Sequence, residues 1–167
     1  LFALFSVSIC MVALNSSNAQ VRTACAPAGN ILWQKSLGGS LDDVASDIES
    51  TTDGGYIVVG SSKSSNGNVG VNKGGADYWI VKTNANGVKQ WDARFGGNSV
   101  DELTTLQQTS DGGYILGGSS LSNKSGEKTQ NSRGGTDYWV VKITNQGKIQ
   151  WDKTIGGNSA DELYSLH

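Results

Sequence analysis

Residues 110–120 read SDGGYILGGSS, and residues 52–62 read TDGGYIVVGSS, nearly the same string 58 positions earlier. The likeness spreads outward from these two stretches. Trp33, Trp91 and Trp151 stand 58 and 60 residues apart, and the pairs Gly38-Gly39, Gly96-Gly97 and Gly156-Gly157 keep the same steps. Asp77-Tyr78-Trp79 returns as Asp137-Tyr138-Trp139. Self-similarity at a fixed period marks a repeat architecture, whose units do not bury their apolar faces alone.

One copy carries four strand signals, here called a to d. Residues 103–109 alternate weakly and end at Ser110-Asp111-Gly112-Gly113, a hairpin turn in which glycine supplies the positive φ. Residues 114–118 follow as a short apolar run, then residues 137–142 as a second, both with the pattern of strands covered on two faces. Asn145-Gln146-Gly147 turns the chain into a fourth strand over residues 148–151. The expected fold class is all-β, built from four-stranded antiparallel sheets in repeats of about 59 residues.

Stacked radially, such sheets form a β-propeller, each sheet a blade with strand a innermost. A parallel β-solenoid fits less well, because its coils are shorter and lack hairpin turns. Strand a is expected at residues 46–52, at 103–109 and from Leu163 onward, and residues 31–36 match strand d. The reading is of a propeller fragment over residues 31–167, holding one strand d, two full blades and the start of a third. Further blades of the same full-length chain are then its partners. A final strand c elsewhere in that chain would close the ring with the early strand d.

The 23 glycines, five tryptophans and single proline suit tight turns between aromatic strands. A net charge of −2 and a pI near 5.3 argue against a nucleic-acid partner. Residues 1–14 are uncharged and apolar apart from Ser6 and Ser8, and Ser17 and Ala19 sit at −3 and −1 of a cleavage point before Gln20. Residues 1–19 therefore read as a secretory signal peptide, with residues 20–30 as a linker and no stable membrane span after cleavage. Removing Cys10 with the peptide leaves Cys25 as a lone thiol, which forms no internal disulfide or cysteine metal site.

The run ending in glycines, then DYWVVK, then a downstream Trp resembles a kelch-type blade. More closely, W-x-K-x-x-GG, DGGYI and G-x-DYW-x-VK-x-x-x-x-G-x-x-x-W resemble the repeats of large secreted propeller proteins of Bacteroidetes. That resemblance, over residues 31–167, implies export, display or release at the cell surface, and often type IX secretion. It implies no common chemistry. Thr51-x-Asp53-x-Gly55 and Thr109-x-Asp111-x-Gly113 are also similar to the first half of the sialidase Asp-box, a turn device remote from catalysis.

Alternating strand direction puts the b–c and d–a connections on one face and the DGG and NxxG turns on the other, which reads as structural. The loop face, with residues 63–76 and 121–136, carries the candidate ligand-binding residues Asn66, Asn68, Lys73, Lys124 and Arg133. Glycan or protein ligands suit it. Acids precede each strand a: Asp42 and Asp43, Asp101 and Glu102, Asp161 and Glu162. Asp43, Asp101, Glu102, Asp161 and Glu162 can ring the channel mouth and hold Ca²⁺; otherwise they bond backbone N–H groups in tight connections.

No EF-hand or Gly-Asp nonapeptide spacing accompanies them, and no cofactor motif occurs. Tyr78, Trp79, Tyr138, Trp139 and the three recurrent tryptophans read as packing residues. His167 is the sole histidine, and catalytic motifs are missing. The expected role is binding or scaffolding; the alternatives are an accessory region of a secreted hydrolase or a calcium-binding propeller.

Overall fold

The computed structural model describes residues 31–166, so the expected signal peptide, the linker and both cysteines lie outside the described residues. The chain divides into two units, the first ending at Gln34 and the second starting at Lys35. In the first, residues 31–34 form no strand. All eight strands belong to the second: β1 (Asp43–Ser50), β2 (Tyr56–Ser62), β3 (Asp77–Thr83), β4 (Lys89–Phe95), β5 (Asp101–Gln108), β6 (Tyr114–Ser120), β7 (Asp137–Ile143) and β8 (Ile149–Ile155). They form two four-stranded sheets, β1-β2-β3-β4 and β5-β6-β7-β8, antiparallel throughout. No helix occurs among the described residues.

The two sheets reproduce each other down to their irregularities. Each first strand is interrupted at the same place, between Ala45 and Asp47 in β1 and between Leu103 and Thr105 in β5. Each third strand slips at its end, at Lys82/Thr83 and Lys142/Ile143. The first hairpins turn on Gly54 and Gly112, both at φ 80°, a left-handed conformation that only glycine adopts without strain.

Strands a begin earlier than the sequence pattern indicated. Asp43 and Asp101 are the first residues of β1 and β5, not the last residues of a connection, and these strands end at Ser50 and Gln108. The acids at these starts carry no hydrophobic signal, and the bulge that follows breaks the period-two alternation. Residues 31–42 and 156–166, which include the expected strand d at 31–36 and strand a from Leu163 onward, form no strand with either sheet. A strand d must pair with a strand c, and β3 and β7 already pair with β4 and β8.

Cross-strand partners share a face, so β3 sends Tyr78 and Ile80 one way and Trp79 and Val81 the other. The first set joins Ile57, Val59 and Phe95 to meet Leu103, Leu106, Tyr114, Leu116, Trp139, Val141 and Ile143 of the second sheet in one core. Tyr78 lies against Trp139 with ring centroids 4.7 Å apart, and its buried hydroxyl donates to the Trp139 carbonyl at 2.9 Å. The opposite face of the first sheet is covered by Val69 and Leu37, which pack on Trp79 and Val81.

Polar groups fix the stacking. Strand β5 lies over β1, β2 and β3, with its amides of Leu106 and Gln108 turned away from β6. Asp47 Oδ2 accepts the Leu106 N–H at 3.2 Å, and Glu49 Oε2 accepts the Gln108 N–H at 3.1 Å. Carboxylates of one sheet thus satisfy the free strand edge of the next. Leu103 N–H donates to Ser61 Oγ at 2.9 Å, and Leu163 N–H donates to the equivalent Ser119 Oγ at 3.2 Å. The third copy therefore begins to dock on the second sheet as the second sheet docks on the first.

Candidate functional site

On the loop face, both acid positions that recur in the repeat converge on the Gly-Gly pair. Gly39 N–H donates to Asp43 Oδ2, Gly97 N–H to Asp101 Oδ2 and Gly157 N–H to Asp161 Oδ2, each at 2.7 Å. Asp43 also accepts from the hydroxyls of Ser62 and Ser64, and Asp101 from those of Ser120 and Ser122. From the other side, Asp77 Oδ1 and Asp137 Oδ1 lie so close to Gly96 and Gly156 that a Cβ at either glycine would collide with them. These buried oxygens have no hydrogen-bond partner. The first glycine makes room for one aspartate and the second donates to the other.

Identical cradles give opposite electrostatics. Burial pushes Asp101 above the ordinary carboxylate value, and its bonds from Gly97, Ser120 and Ser122 do not recover it. Asp43 is less buried, so the desolvation that raises its value is outweighed by Gly39, Ser62 and Ser64, and the net shift is downward. Glu102 and Glu162 are exposed, and Glu162 accepts from the Tyr164 hydroxyl. Among the described residues, no three His, Cys, Asp or Glu side chains gather as a metal-binding group.

Each long loop also buries a cation, supplied from different places. In the first copy Arg94 of β4 donates through Nε to Asp77 Oδ2 at 2.9 Å and through Nη1 and Nη2 to the carbonyls of Ser64, Gly70 and Ser62. The equivalent residue of β8 is Thr154, whose buried hydroxyl is unpartnered. There Lys128, from the loop itself, donates to Ser120 Oγ at 2.8 Å and Ser132 Oγ at 3.0 Å, its pKa lowered by burial although Asp101, Asp137 and Asp152 oppose this.

The candidate contact residues separate into two groups. Asn66 is committed to Ser40, accepting its N–H at 2.9 Å and donating to its hydroxyl, and Lys73 is ion-paired with Glu127 of the neighbouring loop. Asn68, Lys124 and Arg133 are exposed. Main-chain N–H groups of Asn68 and Arg133 bond Gly38 O and Asp137 Oδ2, which anchors the loop backbone beneath those side chains.

The turn face carries more than turns. Asp53 accepts from the Thr51 hydroxyl, the Gly55 N–H and the nearly buried Lys82 ammonium, and Asp111 has the same partners in Thr109, Gly113 and Lys142. Between the sheets here lies a cleft of about 280 Å³ lined by Thr52, Asp53, Lys82, Gln90, Trp91, Gln108, Gly112, Tyr114 and Asn145. Sequence reasoning assigned this face to structure alone. The clue lay in the recurrent Lys of DYWIVK and DYWVVK, whose partner is visible only once strand c is paired.

No family model matches the chain. Over an alignment that covers 74% of its length, it is 28% identical to the regulatory protein FlaEY of Caulobacter vibrioides. The matched stretch is 14% of FlaEY, so the chain spans a small part of that relative.

Proposed function

We propose that this chain is part of an exported β-propeller that works as a binding or scaffolding module for a glycan or protein ligand. The observation that supports it is the repeated docking contact, Leu103 to Ser61 and then Leu163 to Ser119. One sheet meets the next through unlike faces, so the contact is head-to-tail and propagates; it closes into a ring if the rotation permits. A closed ring places every long loop on one rim, where Asn68, Lys124 and Arg133 are available to a ligand. Export and surface display follow from the apolar segment at residues 1–14 and the resemblance to secreted repeat proteins.

A photo-crosslinking amino acid placed at 124 or 133 of the epitope-tagged full-length protein tests this on intact cells. The proposal expects a discrete adduct with an envelope glycan or protein, and a tag that external protease removes. A protected tag with no adduct would contradict it.

A further inference from the structure

We propose that the cleft on the turn face, between the two sheets, binds a neutral saccharide. This reading goes beyond the loop-face proposal and does not depend on ring closure. Its charges cancel locally: Lys82 Nζ is 2.9 Å from Asp53 Oδ2, and its remaining hydrogens go to Thr83 O at 2.9 Å and Gln90 Oε1 at 3.0 Å. Neither an anion nor a cation finds an unspent counter-charge there. Around this neutral floor stand groups suited to hydroxyls, namely the Gln90 and Asn145 amides, the Thr52 hydroxyl and the solvent-facing side of Asp53.

The apolar complement is aromatic. Half-buried Trp91 lines the cleft, with its ring held by Gly147 and by Tyr114, whose centroid is 6.3 Å away. An indole flanked by planar amides recognises the C–H face of a pyranose together with its hydroxyl rim. At about 280 Å³ the cleft lies just below the roughly 300–1,000 Å³ of drug-sized ligand sites, which suits one sugar ring.

Half of the site recurs in the next copy. Asp111 and Lys142 are paired at 3.0 Å, with Gln150 and the 44% exposed Trp151 in the positions of Gln90 and Trp91. Such a series offers one weak site per junction, whose combined use on a polysaccharide raises avidity.

The test is saturation-transfer NMR of the full chain with methyl α-mannoside, methyl β-galactoside and N-acetylglucosamine, set against glucuronate and glucosamine. At least one neutral pyranoside is expected to show saturable transfer that both charged sugars lack. Asn145→Ala and Thr52→Val, at exposed positions that leave the core intact, are expected to weaken it several-fold. Absence of saturable binding by all three neutral sugars overturns the proposal. Equal binding of either charged sugar, or binding that survives both substitutions, overturns it too, and loss of that binding in Lys124→Ala or Arg133→Ala moves the ligand to the loop face.

Discussion

Gly118 shows how much is decided by single residues. A Cβ at this position would collide with the Glu102 carbonyl and come within 2.6 Å of the Tyr78 hydroxyl, the group that ties β3 to Trp139 of the other sheet. Gly118→Ala is expected to destabilise the protein by about 1–3 kcal/mol through strain at this packed junction. Tyr78→Phe, which leaves the buried Trp139 carbonyl short of a donor, is expected to cost about 1–3 kcal/mol. Urea unfolding checks both, and unchanged midpoints would show that the junction tolerates crowding and the loss of this hydrogen bond.

The paired turns set the acid limb. Asp53 is held at about 2, against an ordinary 3.8, by the Thr51 hydroxyl, then Lys82 and the Gly55 N–H. Asp111 is held at about 2 by Thr109, then Gly113 and Lys142. A carboxyl with a depressed folded-state pKa contributes stability that is present above its unfolded value and lost as pH falls toward the folded one. These two therefore withdraw support between about pH 4 and pH 2. Asp77 and Asp101, raised by burial, have the opposite sign and soften the fall. Thr51→Val with Thr109→Val is expected to flatten the acid limb in thermal melts, and an unchanged profile would place acid sensitivity elsewhere.

The loop-face acids make a separate forecast. Asp43, Asp101 and Asp161 already accept the glycine N–H groups, so Ca²⁺ or a chelator is expected to leave the melting temperature where it is. A shift of several degrees would return these acids to a metal role.

Among elements, the long loops carry the difference between copies. Residues 121–136 outnumber residues 63–76 by two, which is the whole difference between the 60- and 58-residue steps. The longer loop brings Lys128 beneath Ser120, while the shorter one leaves that task to Arg94. Arg94→Met is expected to cost about 3–5 kcal/mol, because Asp77 is left buried without its cation. Thr154→Arg is expected to restore part of the stability lost in Lys128→Met, since it puts the guanidinium where the first sheet has it. Calorimetry on the single and double variants measures this, and a double variant weaker than either single one would deny that the two cations are equivalent.

Much at this scale was legible beforehand. DGGYI, DYW and the glycine turns gave the strands, their order and their antiparallel sense, because turn chemistry and apolar runs are local signals. Tyr78, Trp79 and Trp139 are buried as expected of packing residues, whereas Trp33 and Trp151 are 38% and 44% exposed. Strand starts at Asp43 and Asp101 were hidden by bulges and by acids that look like loop residues. The buried Lys128 and the turn-face cleft were hidden because each is made by residues that only tertiary pairing brings together.

For the molecule as a whole, the central physical fact is that the sheets meet through unlike faces. Tyr78 and Ile80 of one sheet cover Trp139 and Val141 of the next, while the second sheet turns Trp151 and the 53% exposed Ile155 outward, in the places of Trp91 and Phe95. Leu163 and Leu166 begin to cover that face by packing over Gly117. A chain made of such units gains stability with each added copy. Trp139→Ala is therefore expected to cost about 3–5 kcal/mol and to uncouple the two sheets before either unfolds.

Electron cryo-microscopy of the full-length protein measures the arrangement of copies most directly. The account predicts four-stranded sheets fanned about one axis, with the β1 and β5 equivalents lining a central channel and every DYW strand buried against the next sheet. A linear stack of sheets, or copies meeting through like faces, would contradict it.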